Sequence, residues 1–221
     1  METTIIKMSE AYDYQSFYKN LQNTKIIDCT NIEGTKCYLD DSAKSILQEK
    51  LKDQSVSGLH FIDSGNYHYL TLLWLQKIDS DFNLVLFDHH PDNQAPSFGD
   101  ITSCGGWVLE AQQTLPHLKN VYTIGAGNDC SPSEIDTTLP LYISIDKDIL
   151  SPSDAITDWD QGEMSLPELL STLDLIITPP IIGIDICGDS SEFASSSALT
   201  NNATNLSLLD YFSQKSILFA T

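Results

Sequence analysis

With 221 residues, 41% hydrophobic and 19% charged, the chain is long enough for one domain with a sizeable core and too apolar for disorder. Eleven Lys and Arg against 31 Asp and Glu leave a formal net charge of -20, which repels nucleic-acid phosphates and anionic membrane surfaces, so neither is an expected partner. No apolar run approaches the ~18 residues of a membrane span, and the acidic opening METTIIKMSEAYDY does not read as a signal peptide. Five Cys, at 29, 37, 104, 130 and 187, show no CxxC or zinc-type spacing, so free thiols and a cytoplasmic location are expected.

In chain order, the patterns predict a strand at Lys25–Cys29, a helix at Asp41–Lys52 capped by Asp41 or Ser42, and a strand at Gly58–Asp63. A helix at Tyr67–Ile78, a strand at Leu84–Asp88, a helix at Gly105–Leu118 and strands at Val121–Gly125 and Leu141–Asp146 follow. The last predicted elements are a helix at Leu166–Leu173 opened by Ser165 and Pro167, a strand at Ile181–Ile186, and a helix at Leu206–Gln214. The polar stretch SSEFASSSALTNNATN, 190–205, reads as a loop. His60 and the three Trp read as packing residues. The alternation predicts one α/β domain over 1–221, its mostly parallel sheet covered on both faces.

Open parallel sheets bind ligands beyond the carboxyl ends of their strands. Here those ends are acidic. FIDSGNYH offers Asp63 and His68, LVLFDHHPD offers Asp88, His90 and Asp92, LYISIDKDILSP offers Asp146 and Asp148, and GIDICGDSSE offers Asp185, Asp189 and Glu192. Residues two apart on an extended segment face the same way. Asp88, His90 and Asp92 can therefore converge, as can Asp146 and Asp148, while His89 and Lys147 point elsewhere.

Asp is common where strands end, but three such runs at successive ends outweigh coincidence. Crowded carboxylates repel one another and take up protons unless a cation joins them. The mixed set His68, Asp88, His90, Asp92, Asp146 and Asp148 is too hard for a thiolate-type zinc site and too rich in imidazole for Ca²⁺. Mn²⁺, Fe²⁺, Co²⁺ and Zn²⁺ remain, and carboxylate dominance favours Mn²⁺. Six ligands could hold two ions ~3.5–4 Å apart.

These residues resemble a known family. DHHPD resembles the DAHxD motif of the arginase–agmatinase (ureohydrolase) superfamily. SIDKDILSP resembles its SxDxDxxDP motif, with Ser151 in place of the last Asp, and SGNYH resembles the GGDHS motif that supplies the first His. The order along residues 58–190 is the family's order. The resemblance implies a three-layer α/β/α arginase-like fold and two Mn²⁺, other divalent transition metals being alternatives. It implies hydrolysis of a C–N bond in a guanidino, amidino or amide-like small molecule by a metal-bridging hydroxide. His68, Asp88, Asp92 and Asp146 would take one ion, and His90, Asp88, Asp146 and Asp148 the other. Asp88 and Asp146 would bridge, and Asp92 would orient the hydroxide. Homo-oligomers are common in the family.

The departures concern substrate. Family members that cleave guanidinium groups carry a DxxE pattern after the last strand, and here Asp185 is followed at that spacing by Gly188. Asp189 or Glu192 could substitute. The loop after DHHPD lacks the His that arginases place near the substrate. Asn93 and Cys104, the latter in ITSCGGW at an expected helix start, are the candidates there. Cys104 and Cys187 read first as small buried residues, although Cys187 stands where a last-strand side chain could face the site. The short stretch between Asp92 and Asp146 removes substrate loops, so the resemblance does not carry over arginine or agmatine. The acidity suits a cationic small molecule. Three rivals stand: a DHH-type phosphoesterase, which needs further acidic residues for which only Asp28 and Asp63 are available; a non-catalytic metal-binding protein; and a deacetylase-like amidohydrolase using Tyr67 or Tyr142.

Overall fold

The structure is a computed structural model and describes residues 2–127, 130–178 and 180–215. It opens with a strand absent from the expectations, β1 (Thr3–Lys7), whose TTII is buried although acidic residues flank it. β2 (Thr24–Asp28), β3 (Tyr38–Leu39), α1 (Asp41–Leu51), β4 (Leu59–Phe61), α2 (Leu70–Leu75) and β5 (Phe82–Phe87) follow. Then come β6 (Thr102–Ser103), α3 (Trp107–Thr114), β7 (Leu118–Ile124), β8 (Leu141–Asp146), α4 (Leu166–Ile176), β9 (Ile181–Cys187) and α5 (Ala194–Gln214). Seven strands form one sheet in the order β2-β1-β4-β9-β8-β5-β7, every pairing parallel. β3 and β6 make a small antiparallel pair outside it.

All of β5 is buried, as a strand covered on both faces must be. Leu84 and Leu86 meet Leu47 of α1, Trp74 of α2 and Trp107 of α3. Val85 and Phe87, on the other face, meet Leu169 and Leu173 of α4 and Leu208 and Phe212 of α5. Each such side chain contributes about 1.5–3 kcal/mol on full burial. The two cores make the three-layer α/β/α arrangement that the motifs implied.

Local expectations differ in places. α1 is capped one residue early, by Asp40, whose side chain accepts from Ala43 N at 2.8 Å. α4 has the Ser165–Glu168 capping box, with Pro167 in its first turn. α3 ends at Thr114, and Leu118 already belongs to β7.

The largest difference is 190–205, which is not a loop: α5 begins at Ala194. Ahead of Leu208 and Phe212 its inward face is largely polar, with Ser197, Asn201, Thr204 and Asn205 all buried. Asn201 accepts from Ile156 N at 2.8 Å and donates to Ile156 O at 2.8 Å, while Thr204 donates to Asp154 O. A helix that buries hydrogen-bonded amides shows no apolar period. Among the described residues no helix is long and apolar enough to cross a membrane.

Candidate metal centre

His68, Asp88 and Asp146 stand at or beyond the carboxyl ends of β4, β5 and β8, with β9 between β4 and β8, and each is delivered by a different local device. β4 runs into a short 3-10 turn at Gly65–Tyr67, capped by Ser64, which ends on His68. The chain after β5 is not extended: Asp92 has φ 46°, and this left-handed turn swings its carboxylate back towards the sheet. β8 ends in Asp146, whose Oδ1 accepts Asp148 N at 2.9 Å and caps the turn Lys147–Ile149. The alternating residues do converge, but through turns and not through the strand period from which convergence was predicted.

The oxygen and nitrogen donors gather around His68 and around His90, with Asp88 common to both, and a further grouping of His68, Asp146 and Cys187 overlaps the first. In the first, His68 Nδ1 lies 3.0 Å from Asp92 Oδ2, 3.3 Å from Asp88 Oδ2 and 3.5 Å from Asp146 Oδ2. In the second, His90 Nδ1 lies 2.8 Å from Asp148 Oδ2 and 3.7 Å from Asp88 Oδ1. Ligand atoms about 2.1 Å from a divalent ion stand roughly 3 Å apart, so these separations suit ions held between them. His68 Nδ1 and Asp88 Oδ2 are buried and make no hydrogen bond. Orphaned buried donors and acceptors are costly and mark a missing partner. The residues present therefore fit a pair of divalent metals.

The surroundings orient these groups. Ser144 Oγ donates to Asp185 Oδ1 at 2.6 Å and lies 2.9 Å from His68 Nε2. Trp107 Nε1 donates to Asp92 Oδ2 at 2.7 Å. His90 N donates to Asp88 Oδ1 at 2.6 Å, and His89 N to Asp148 Oδ1 at 3.0 Å. Gly65 leaves room here, since a Cβ on it would come 2.8 Å from Asp146 Oδ2.

Electrostatics agree with donors arranged for cations. Burial, then the charges of Asp92 and Asp148, push Asp88 well above the usual carboxylate range. Burial and Asp148 raise Asp146 to about 7. Burial pushes the His68 imidazole down, but Cys187, Asp88 and Asp92 outweigh it and hold it well up. The hydrogen bond with Asp148 raises His90. Protons would stand in for metal in such a cluster.

Above the donors is a cavity of about 240 Å³. Asp88, His90, Asp92, Asp146 and Asp148 line it, together with Tyr38, Gln94, Ser103, Cys104 and Trp159. No Lys or Arg is among the described residues that line it.

The substrate candidates divide. Cys104 lines the cavity, and Asn93 does not, although its neighbours Asp92 and Gln94 do. Glu192 is exposed and pairs with Lys36 at 3.3 Å, outside the cavity lining. Asp189 is a structural residue: it is fully buried and accepts from Lys147 Nζ at 2.6 Å and Gln15 Nε2 at 2.7 Å. Lys147 needs that carboxylate because it is itself fully buried. His60 also packs, stacked 4.2 Å from the Trp74 ring.

The acidic residues that a phosphoesterase would need are engaged elsewhere. Asp28 accepts from Thr30, and Asp63 accepts from Met8 N, Ser9 N, Ser9 Oγ and Ser64 N. Tyr142 OH donates to Asp185, and neither it nor Tyr67 lines the cavity.

Cys187, whose place at the end of the last strand lets it face the site, stands beside Asp146, whereas the contacts of Ser144 and Trp107 with the ligands are not among the expectations. The SID motif includes Ser144 as its first residue, and that was the available signal for it. Nothing in the sequence pairs Trp107 with Asp92.

No protein-family model matches the chain. A Thermotoga maritima protein, itself described as uncharacterized, is 30% identical over 223 aligned residues, covering 93% of this chain and 87% of the relative. Among solved structures, arginase from Bacillus caldovelox superposes with a TM-score of 0.68 at 14% identity, covering 98% of this chain and 99% of that one. Proclavaminate amidino hydrolase from Streptomyces clavuligerus superposes with a TM-score of 0.64 at 13% identity, covering 95% and 91%.

Proposed function

We propose, from the premise that this chain belongs to one family with the Thermotoga maritima protein and has the arginase–agmatinase fold, that it is a divalent-metal hydrolase. Its target would be a C–N bond of a small guanidino, amidino or amide-like compound. The observation that carries this reading is the pair of donor groups, joined through Asp88, at the floor of a cavity beyond the strand ends.

His68, Asp88, Asp92 and Asp146 would hold one ion, and His90, Asp88, Asp146 and Asp148 the other, with Mn²⁺ suited to so many carboxylates. Such a centre, when loaded, supplies a nucleophile from water at neutral pH and Lewis acidity for the developing charge. The chain's own residues do the rest. Trp107 holds the Asp92 carboxylate in place, so Asp92 can accept a hydrogen bond from the attacking water. The acidic floor, with no cationic side chain among the described lining residues, favours a substrate that is cationic or neutral and has no carboxylate to anchor. Tyr38 and Trp159 supply ring faces for a cationic head.

Neither Asp189 nor Glu192 replaces the Glu of the guanidinium-cleaving pattern among the described residues that line the cavity. Gly188 has φ 88°, and a Cβ there would sit 2.3 Å from Asp146 Oδ1. That observation favours the second reading, a metal-binding protein without turnover. The test is metal content after Mn²⁺ loading and desalting, followed by a screen of guanidino, amidino and amide compounds. Two ions per chain with turnover support the hydrolase. Two ions without turnover favour the binding protein, and metal-free chain overturns both.

A further inference from the structure

We infer that Cys187 is a thiolate ligand to the ion held by His68 and Asp146, so that the two metal positions are chemically unequal. The inference rests on the metal-centre reading proposed above. Three observations carry it.

The first is sheet register. β8 and β9 are parallel neighbours, and Asp146 is paired with Cys187 across them. Paired residues of adjacent strands project to the same face, so register alone sets the thiol beside the carboxylate. Cys187 Sγ stands 3.1 Å from Asp146 Oδ2.

The second is the bare nitrogen of His68. It is buried and makes no hydrogen bond, and it lies with Asp146 and Cys187 in a group whose ligand atoms are all within 4.8 Å of one another. One nitrogen, one oxygen and one sulfur around a common point make a coordination set. The third is Gly188. With no side chain and a positive φ, it turns the backbone away at once and leaves Asp146 its place between the thiol and the turn.

On binding, the S–H proton passes to solvent and a metal–sulfur bond forms, with no change of oxidation state. The consequence is selectivity. Asp88, His90 and Asp148 offer only oxygen and nitrogen and suit a hard ion such as Mn²⁺. The position with Cys187 gains a soft donor and suits Zn²⁺, Co²⁺ or Fe²⁺. Cys104, at the cavity wall, belongs to neither group.

The experiment is Co²⁺ loading of the intact metal-free protein, followed by absorption spectroscopy and elemental analysis. A near-ultraviolet sulfur-to-cobalt charge-transfer band is expected in the wild type and in Cys104→Ser. It should be lost in Cys187→Ala, together with at least a tenfold loss of Co²⁺ or Zn²⁺ affinity at one position. If Cys187→Ala fails to fold, the wild-type spectrum alone decides. Bound cobalt with only d–d bands overturns the inference and leaves the metal centre standing, as does a band that survives Cys187→Ala. No cobalt uptake overturns both.

Discussion

The Ser144 hydroxyl decides which nitrogen of His68 faces the carboxylates. Its one proton goes to Asp185 Oδ1 at 2.6 Å, so towards His68 Nε2 at 2.9 Å it can only accept. In the neutral ring Nε2 therefore carries the proton, and Nδ1 is the atom turned to Asp88, Asp92, Asp146 and Cys187, where it takes up a proton or a metal ion. Asp185 is steadied in turn by Tyr142 OH at 2.9 Å. This relay, three buried residues deep, is how a protein fixes the tautomer of a metal-binding imidazole.

Ser144→Ala should therefore weaken the ion at His68 by about 10–100-fold without unfolding the chain. Alanine removes one buried oxygen and adds no bulk. Competition against a chelator of known affinity measures the change. An unchanged affinity would show that the tautomer is set by something else.

Asp88 belongs to both donor groups, and Asp148 to one. Asp88→Ala should empty both positions, whereas Asp148→Ala should leave close to one ion per chain. Elemental analysis after desalting separates the two. Two ions retained by Asp88→Ala would refute the shared role.

The metal-free protein should lose stability as pH rises. Asp146 is raised to about 7 and Asp88 well above its ordinary value, both first by burial. A carboxyl with a folded-state pKa above the unfolded value of about 3.9 binds its proton more tightly in the fold. Its contribution is fully present below the unfolded value and is lost as pH climbs through the folded one. His68, also raised, acts in the same direction. Between about pH 5 and pH 8 the melting temperature should fall by several degrees, on the order of 5 °C. Divalent metal should abolish the fall, because it replaces those protons, and its affinity should rise with pH. Calorimetry with and without metal checks both, and a flat metal-free profile would contradict the prediction.

Restoring the DxxE pattern should not create a guanidinium site. Any side chain at Gly188 must adopt φ 88° and place its Cβ 2.3 Å from Asp146 Oδ1 and 2.6 Å from Lys147 N. Gly188→Glu and Gly188→Ala should both destabilise the fold by about 1–3 kcal/mol and lower metal content through Asp146. Denaturant unfolding and metal analysis are the measurements. A Gly188→Glu variant that is stable, fully loaded and newly active on guanidino compounds would overturn this account.

Much of the architecture follows from the sequence by itself. Apolar runs such as LVLF mark strands buried on both faces, and acidic and imidazole groups directly after them must stand at one edge of the sheet. Local order along the chain thus determined that His68, Asp88, His90, Asp92, Asp146 and Asp148 would meet. It did not determine how. Asp92 arrives through a left-handed turn and Asp148 through a 3-10 turn capped by Asp146, where the strand period predicted a straight projection.

Only the tertiary structure decided the partners. Asp189 answers the buried Lys147, the polar face of α5 is satisfied by Ile156 and Asp154, and Cys187 meets Asp146 through the register of β8 and β9. The reason is physical. Periodicity reports what each residue does with its own neighbours in the chain. Which buried polar group satisfies which other depends on strand order and register, settled when the whole sheet assembles.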